Sequence, residues 1–198
     1  MSLRRRLSEL ALVAIPALAA GCQTSSSASS APLETTPAIE LRDAAGKVTA
    51  RVTPGHPCRA TIDGVEMLIG TQPLVAQLGD VRWTGDQAAN GLTIRRNDAA
   101  VARISPSDQP DATGLFTTEG VAIVRATVSG AKADLISGAG AIVGSVTKLP
   151  KGGIAIGDRV LSGTDDLLLA ALLTAPDTSP EVRGLAACHR LFPSPKAL

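Results

Sequence analysis

The chain has 198 residues, with 19 Lys and Arg against 18 Asp and Glu, so its formal net charge is only +1. A protein that binds nucleic acid through bulk charge is strongly basic, and this balance argues against one. The chain has no Tyr, two Phe and one Trp, so it also lacks the aromatic platforms that sugar-binding and single-strand-binding surfaces use.

The first 21 residues have the three parts of an export signal. Three arginines are followed by an apolar run at residues 10–20, and small residues then lead to Cys22. The run is too short to cross a bilayer, because a spanning helix needs about 20 apolar residues. We therefore expect residues 1–21 to be a cleaved signal peptide. Removing them leaves 16 basic against 17 acidic side chains, because three arginines and one glutamate are lost.

The stretch Ala19-Ala20-Gly21-Cys22 resembles the lipobox of bacterial lipoproteins, a family that usually has Leu where Ala19 stands. The resemblance implies cleavage before Cys22, a diacylglycerol on its sulfur and attachment to a membrane through the N-terminal lipid. Several acyl chains give stable anchoring. Gln23 stands where the family's inner-membrane retention signal has Asp, so we expect an outer-membrane protein facing the periplasm. The alternative is an ordinary secretory signal with a coincidental cysteine.

The segment that follows, residues 22–36, is rich in Ser and holds too little apolar surface to pack. Such a composition predicts a flexible tether. Residues 37–198 are long enough for one globular domain with its own core.

Short segments rich in Val, Ile and Thr alternate apolar with polar residues through most of this domain and are separated by Gly, Asp and Asn. Such a pattern predicts antiparallel β-strands joined by tight turns. The predicted strands are 39–42, 48–53, 59–62, 65–69, 80–83, 92–95, 101–104, 121–128, 132–136, 142–147 and 153–156.

Two helices are predicted after the strands, at residues 165–175 and 180–191. The first contains the run LLLAALL, and Thr164 or Asp165 is a suitable N-cap. A helix that is apolar on every face must be buried all round or lie in a membrane, and this one is too short to span a bilayer. Ser179 is the expected N-cap of the second helix, with Pro at its first turn.

The sequence therefore predicts a mainly β fold, an antiparallel barrel or sandwich of about 10 to 12 short strands with one or two C-terminal helices, the first of them buried. The stretch LRDAAGKV at 41–48 gives a strand, an Asp-x-x-Gly turn and a strand. It resembles the repeated hairpins of the tubby, scramblase and LURP-one group, and the resemblance covers residues 38–176. It implies a barrel wrapped around a helix at 166–175. The alternative is a sandwich or open barrel with the helix packed on one face.

Cys58 and Cys188 are the cysteines that remain once Cys22 is lipidated. In an exported chain, two cysteines pair most economically as one disulfide. His56 and His189 stand close to them in the sequence, so the residue types of a tetrahedral zinc site are also present. Adjacent residues diverge on strands and on helices, which makes convergence of four ligands difficult. We predict the disulfide, with no metal ion or other cofactor. A metal site or free thiols are the alternatives.

We expect no enzyme. The stretch SGAGAIVG at 137–144 is glycine-rich like a dinucleotide-binding loop. A strand is predicted directly after it, however, whereas binding of a pyrophosphate needs a helix N-terminus there. A hairpin turn is therefore expected there. Asp165 and Asp166 stand directly before an apolar run, which favours a helix start over an acid–base pair.

The expected function is that of a lipid-anchored cell-envelope protein with a non-catalytic domain, which binds an unidentified envelope partner or supports envelope structure. The alternative is a carrier or sensor of a small apolar ligand such as a lipid. The two hypotheses differ at the centre of the domain, because a helix that fills the centre leaves no room for a ligand.

Overall fold

A closed antiparallel β-barrel followed by two helices forms the part of the chain that the structure describes. The structure is a computed structural model and describes residues 37–88, 91–106 and 112–192. The barrel is built from fourteen strands: β1 (Ile39–Arg42), β2 (Val48–Thr53), β3 (Cys58–Ile62), β4 (Val65–Thr71), β5 (Leu74–Leu78), β6 (Val81–Ala88), β7 (Gly91–Arg96), β8 (Ala99–Pro106), β9 (Ala112–Phe116), β10 (Ala122–Ser129), β11 (Lys132–Ser137), β12 (Ile142–Lys148), β13 (Ile154–Ile156) and β14 (Arg159–Ser162). Each strand pairs with its neighbours in chain order, and β1 pairs with β14 to close the ring.

The predicted fold class is confirmed, and the structure selects the barrel over the sandwich. The strand count exceeds the predicted 10 to 12, because β5, β9 and β14 are absent from the sequence-based assignment. Each of the three carries a weak signal. β5 follows Pro73 directly, β9 contains Gly114 in its middle, and β14 has only four residues. Their places in the ring come from pairing with stronger neighbours on both sides.

Alternate side chains of the strands point into the barrel. Leu41 on β1 is opposite Ala50 on β2 and Leu161 on β14, and all three are at most 3% exposed. The same alternation continues around the ring and produces one contiguous apolar core. A closed ring also leaves no unpaired strand edge, which removes the usual route to edge-to-edge aggregation.

The two predicted helices are present, as α1 (Leu167–Leu173) and α2 (Pro180–Leu191). α1 is shorter than the predicted 165–175, and the predicted N-cap, Thr164 or Asp165, is wrong. Asp166 is the N-cap, because its carboxylate accepts hydrogen bonds from the backbone N–H groups of Leu168 and Leu169. α2 has the predicted bounds, and the Ser179 hydroxyl caps it by accepting from the backbone N–H of Val182.

The barrel has two different ends. The hairpin end carries the seven turns at 43–47, 63–64, 79–80, 97–98, 117–121, 138–141 and 157–158. The loop end carries the remaining connections, and there the chain enters β1 and leaves β14. The helices start and finish at the loop end, because Asp166 at the start of α1 binds Arg190 near the end of α2. The loop between the helices lies at the hairpin end, where Arg183 of α2 binds Asp63 in the turn after β3.

Candidate functional site

The space enclosed by the strands is filled by the two helices. α1 packs against β9 to β13, α2 packs against β2 to β4, and the helices pack against each other. These two groups of strands lie on opposite walls of the ring, so the helix pair bridges the lumen. Every residue from Leu167 to Leu173 is at most 3% exposed. The prediction of a helix buried on all faces is therefore confirmed.

α2 approaches the wall closely at one glycine. A Cβ added to Gly184 would lie 2.6 Å from Cε of Met67 and 3.5 Å from Cβ of Ala60. The missing side chain therefore lets α2 seat against β3 and β4, with the Met67 thioether filling the remaining space.

The disulfide predicted between Cys58 and Cys188 is present and joins the first residue of β3 to α2. Both residues are fully buried, and their Cα atoms lie 6.1 Å apart. Because each sulfur is bonded to the other, neither is a thiolate ligand. Within the described ranges, no group of three or more His, Cys, Asp and Glu side chains is arranged to hold a metal ion.

The two histidines lie near the disulfide but have different surroundings. Nδ1 of His56 is 2.5 Å from the Thr71 hydroxyl, and its ring lies against the ring of Phe192 at a centroid distance of 4.5 Å. Thr71 is 6% exposed, so this hydrogen bond satisfies a buried polar group. Burial lowers the pKa of His189 below its usual 6.5, and the neighbouring charge of Arg190 lowers it further. Through His56, the loop before β3 contacts both the end of β4 and the residue that follows α2.

The outer wall over β1 and β2 is charged. The carboxylate of Glu40 pairs with Arg51 and Arg42. Hydrogen bonds from both arginines lower the pKa of Glu40, and the bond from Arg51 has the larger effect. An open groove of about 600 Å³ runs beside this cluster, lined by residues that include Arg51, Asp63 and Lys47. Arg51 and Asp63 already have ion-pair partners. An exposed pair such as Arg51 with Glu40 contributes little to stability.

Three exposed aliphatic side chains lie at the hairpin end, beside the turns at 117–121 and 138–141. Val121 is 60% exposed, Ile142 is 68% exposed and Val143 is 51% exposed. Gly138 lies beside the first of them, because a Cβ there would lie 2.2 Å from the carbonyl oxygen of Ala122 and 3.8 Å from Cγ1 of Val121. We call Val121, Ile142 and Val143 the hairpin-end patch. The sequence analysis missed this patch. The available signal was the pair Ile142-Val143, because a strand residue and its neighbour cannot both point into the barrel.

The turns around the hairpin-end patch are acidic. The seven turns of the hairpin end contain six acidic side chains and a single lysine, Lys47. Glu119 lies in the turn that also holds Val121, and Asp158 lies in the turn after β13. The turn at 138–141, which joins β11 to β12, contains no charged residue. It is the hairpin turn predicted for the glycine-rich stretch at 137–144. Arginines stand directly beside three of the acidic turns, at Arg42, Arg96 and Arg159, and Arg183 pairs with Asp63.

Cys22, the predicted signal peptide at 1–21 and the predicted tether at 22–36 lie outside the described residues. No helix within the described ranges is both long enough and apolar enough to cross a membrane. Comparison of the chain with models of known protein families, with curated proteins and with solved structures finds no match.

Proposed function

We propose that this chain is a lipid-anchored protein of the bacterial cell envelope whose barrel binds a partner protein through its surface and carries out no catalysis. The observation that carries this proposal is the filled lumen. The site where a barrel of this size would hold a small ligand contains the side chains of α1 and α2 instead. What remains for function is the outer surface, and three of the six large hydrophobic side chains exposed among the described residues belong to the hairpin-end patch.

The membrane attachment rests on the sequence around Cys22. The segments around Cys22 follow the order of a lipobox signal. An apolar run too short to span a bilayer comes first, and small residues, a cysteine and a polar Ser-rich segment follow it. The acyl chains on Cys22 would be the anchor. Because Gln23 stands where the inner-membrane retention signal has Asp, we propose that the anchor lies in the outer membrane and the barrel in the periplasm. A disulfide between buried cysteines is consistent with an oxidising compartment.

The filled lumen also counts against the alternative function, that of a carrier or sensor of an apolar ligand. For a lipid to enter, the α1–α2 pair would have to leave, and its departure would break the disulfide or unfold the turn of α2 that carries Cys188. Extraction of the purified protein with organic solvent, followed by mass spectrometry, distinguishes the two. The proposal predicts covalently bound acyl chains only, whereas one equivalent of a free lipid would favour the carrier.

Replacing Cys22 with Ser tests the anchor. We expect the Cys22→Ser variant to move from the membrane fraction to the soluble fraction and to lose incorporation of labelled palmitate. The matched control is Gln23→Asp, which keeps the cysteine and should remain acylated while moving to the inner membrane. A Cys22→Ser protein that stays membrane-bound and is fully processed would overturn the proposal.

A further inference from the structure

We propose that His56, Thr71 and Phe192 form a gate over the Cys58–Cys188 disulfide, and that this gate controls whether a dithiol reductant reaches the bond. The gate opens by release of the last turn of α2, while the barrel stays folded. It is independent of the proposed function, because it acts on the disulfide whatever the barrel binds.

α2 and the chain segment 56–60 contact each other at three levels. From the hairpin end to the loop end, the levels are Gly184 with Ala60, Cys188 with Cys58, and Phe192 with His56. Four residues of a helix rise about 6 Å and two residues of a strand about 6.6 Å, so the three levels stay aligned. The level of Phe192 and His56 is therefore the next one after the disulfide toward the loop end.

Thr71 belongs to the same outer level. Because Cys58 pairs with Ile69 across β3 and β4, Thr71 lies two residues closer to the loop end than the disulfide does. Nδ1 of His56 is 2.5 Å from the Thr71 hydroxyl, and Thr71 is only 6% exposed. The outer level is thus already covered, and both cysteines of the level beneath it are fully buried.

The two ends of the disulfide are held differently. Cys58 lies in β3, which pairs with β2 and β4 inside the closed ring. Cys188 lies in the last turn of α2, where its carbonyl accepts a hydrogen bond from the backbone N–H of Phe192. Helix ends open more readily than the strands of a core sheet. The gate therefore opens on the side of α2, when Phe192 leaves His56.

Opening of the gate exposes the disulfide to thiol–disulfide exchange. A thiolate of the reductant attacks one cysteine sulfur, and the other cysteine leaves as a thiolate that takes up a proton. The second thiol of the reductant then releases the first cysteine. The chain gains two thiols while the dithiol is oxidised to a disulfide, so atoms and electrons balance. Access to the sulfurs is one determinant of the rate of this exchange, and the closed gate keeps α2 attached to β3.

The test measures reduction by dithiothreitol, without denaturant, of protein purified from its native cells. Released thiols are alkylated, and mass spectrometry follows the peptides that contain Cys58 and Cys188. We expect Phe192→Ala to raise the reduction rate about three- to tenfold, as the loss of one aromatic contact predicts. His56→Ala removes the same contact from an exposed loop residue and should raise the rate similarly.

Two controls isolate the gate. The matched control is Phe116→Ala, which removes the chain's other phenylalanine, at the end of β9, and should leave the rate unchanged. The double variant Phe192→Ala/His56→Ala should be no faster than the faster single variant, because both substitutions remove one shared contact.

The dependence of the rate on urea separates the gate from unfolding of the whole barrel. Release of one helical turn exposes little surface, so the rate should vary little with urea below the unfolding transition, whereas global unfolding depends on urea steeply. A rate that rises steeply with urea in every variant overturns the inference. Reduction of Phe192→Ala and His56→Ala no faster than that of Phe116→Ala does so too. Neither result bears on the lipid anchor or on the binding of a partner.

Discussion

Cys58 at the start of β3 and Cys188 near the end of α2 are 130 residues apart in the sequence and are joined by a disulfide at the loop end of the barrel. The bond ties the last helix to an early strand. It therefore restricts the unfolded chain through a loop that covers most of the domain.

Replacing both cysteines with alanine should lower the free energy of unfolding by on the order of 4 kcal/mol, because the closure of a loop this long is lost from the unfolded state. Urea titration of the purified protein measures the change. Mass spectrometry of unreduced peptides should first show the two cysteines linked. Two freely alkylated thiols in protein isolated from the envelope, or an unchanged unfolding midpoint in the double variant, would contradict the prediction.

Asp63→Asn should destabilise the protein by about 1 to 3 kcal/mol, because it removes the charged partner of Arg183, whose side chain is only 12% exposed. Asn suits the position, since the φ of Asp63 is +48°. The matched control is Asp98→Asn, at a turn aspartate with a φ of +67°, which should change stability by less than about 0.5 kcal/mol. Equal effects of the two substitutions in a urea titration would show that the Arg183 pair contributes nothing specific.

Gly184→Ala should destabilise the protein by about 1 to 2 kcal/mol, although alanine is the better helix former. The new Cβ would overlap the end of the Met67 side chain, and overpacking costs more than the helix propensity gained. In a Met67→Ala background the obstacle is gone, so the same substitution should become stabilising. A double-mutant cycle in urea measures this reversal of sign, and additive effects would contradict the close approach of α2 to β4.

Stability should fall as the pH decreases below about 6.5, in part because of His189. Burial lowers the pKa of His189 in the folded state, so below the unfolded value the unfolded chain binds the proton more readily than the folded chain does. Above that pH His189 contributes no pH dependence. We expect His189→Gln to flatten the stability profile between pH 7 and about 5. Hydrogen bonds lower the pKa values of Glu40 and Glu119 below the usual 4.5 of a glutamate, so these two groups affect stability at lower pH than His189 does. An unchanged slope in the variant would refute the assignment.

The fold class could be predicted because its determinants are local. Strands such as β2 and β10 show the apolar–polar alternation that predicts a strand, and α1 consists of one apolar run. Each of these patterns can be recognised without knowing the rest of the fold. Strands β5, β9 and β14 could not be predicted in the same way. Their short or interrupted patterns become strands only because neighbours in the ring supply backbone hydrogen bonds on both sides. The resemblance to the tubby, scramblase and LURP-one group stays a prediction.

The candidate site could be predicted only in part. The pairing of Cys58 with Cys188 followed from the number of cysteines, since no other pair remains after lipidation of Cys22. The hairpin-end patch depends on the register that places Val121 beside Gly138, and on which end of the barrel each turn occupies. The pairing of Arg183 with Asp63 likewise requires knowing that α2 starts at the hairpin end. Such relations between distant residues are set by topology and leave no local signal.

The proposal that this protein functions through its surface depends on the two helices filling the lumen. The most direct test is urea titration of Leu167→Ala, Leu172→Ala and Leu173→Ala, because at about 100° per residue these side chains point in three directions around α1 and are at most 3% exposed. Each should lower the free energy of unfolding by about 2 to 5 kcal/mol. Leu68→Ala on the outer wall, where Leu68 is 53% exposed, is the control and should cost less than about 0.5 kcal/mol. If any of the three α1 variants costs less than about 1 kcal/mol, that face of α1 is not packed, and the filled lumen is contradicted.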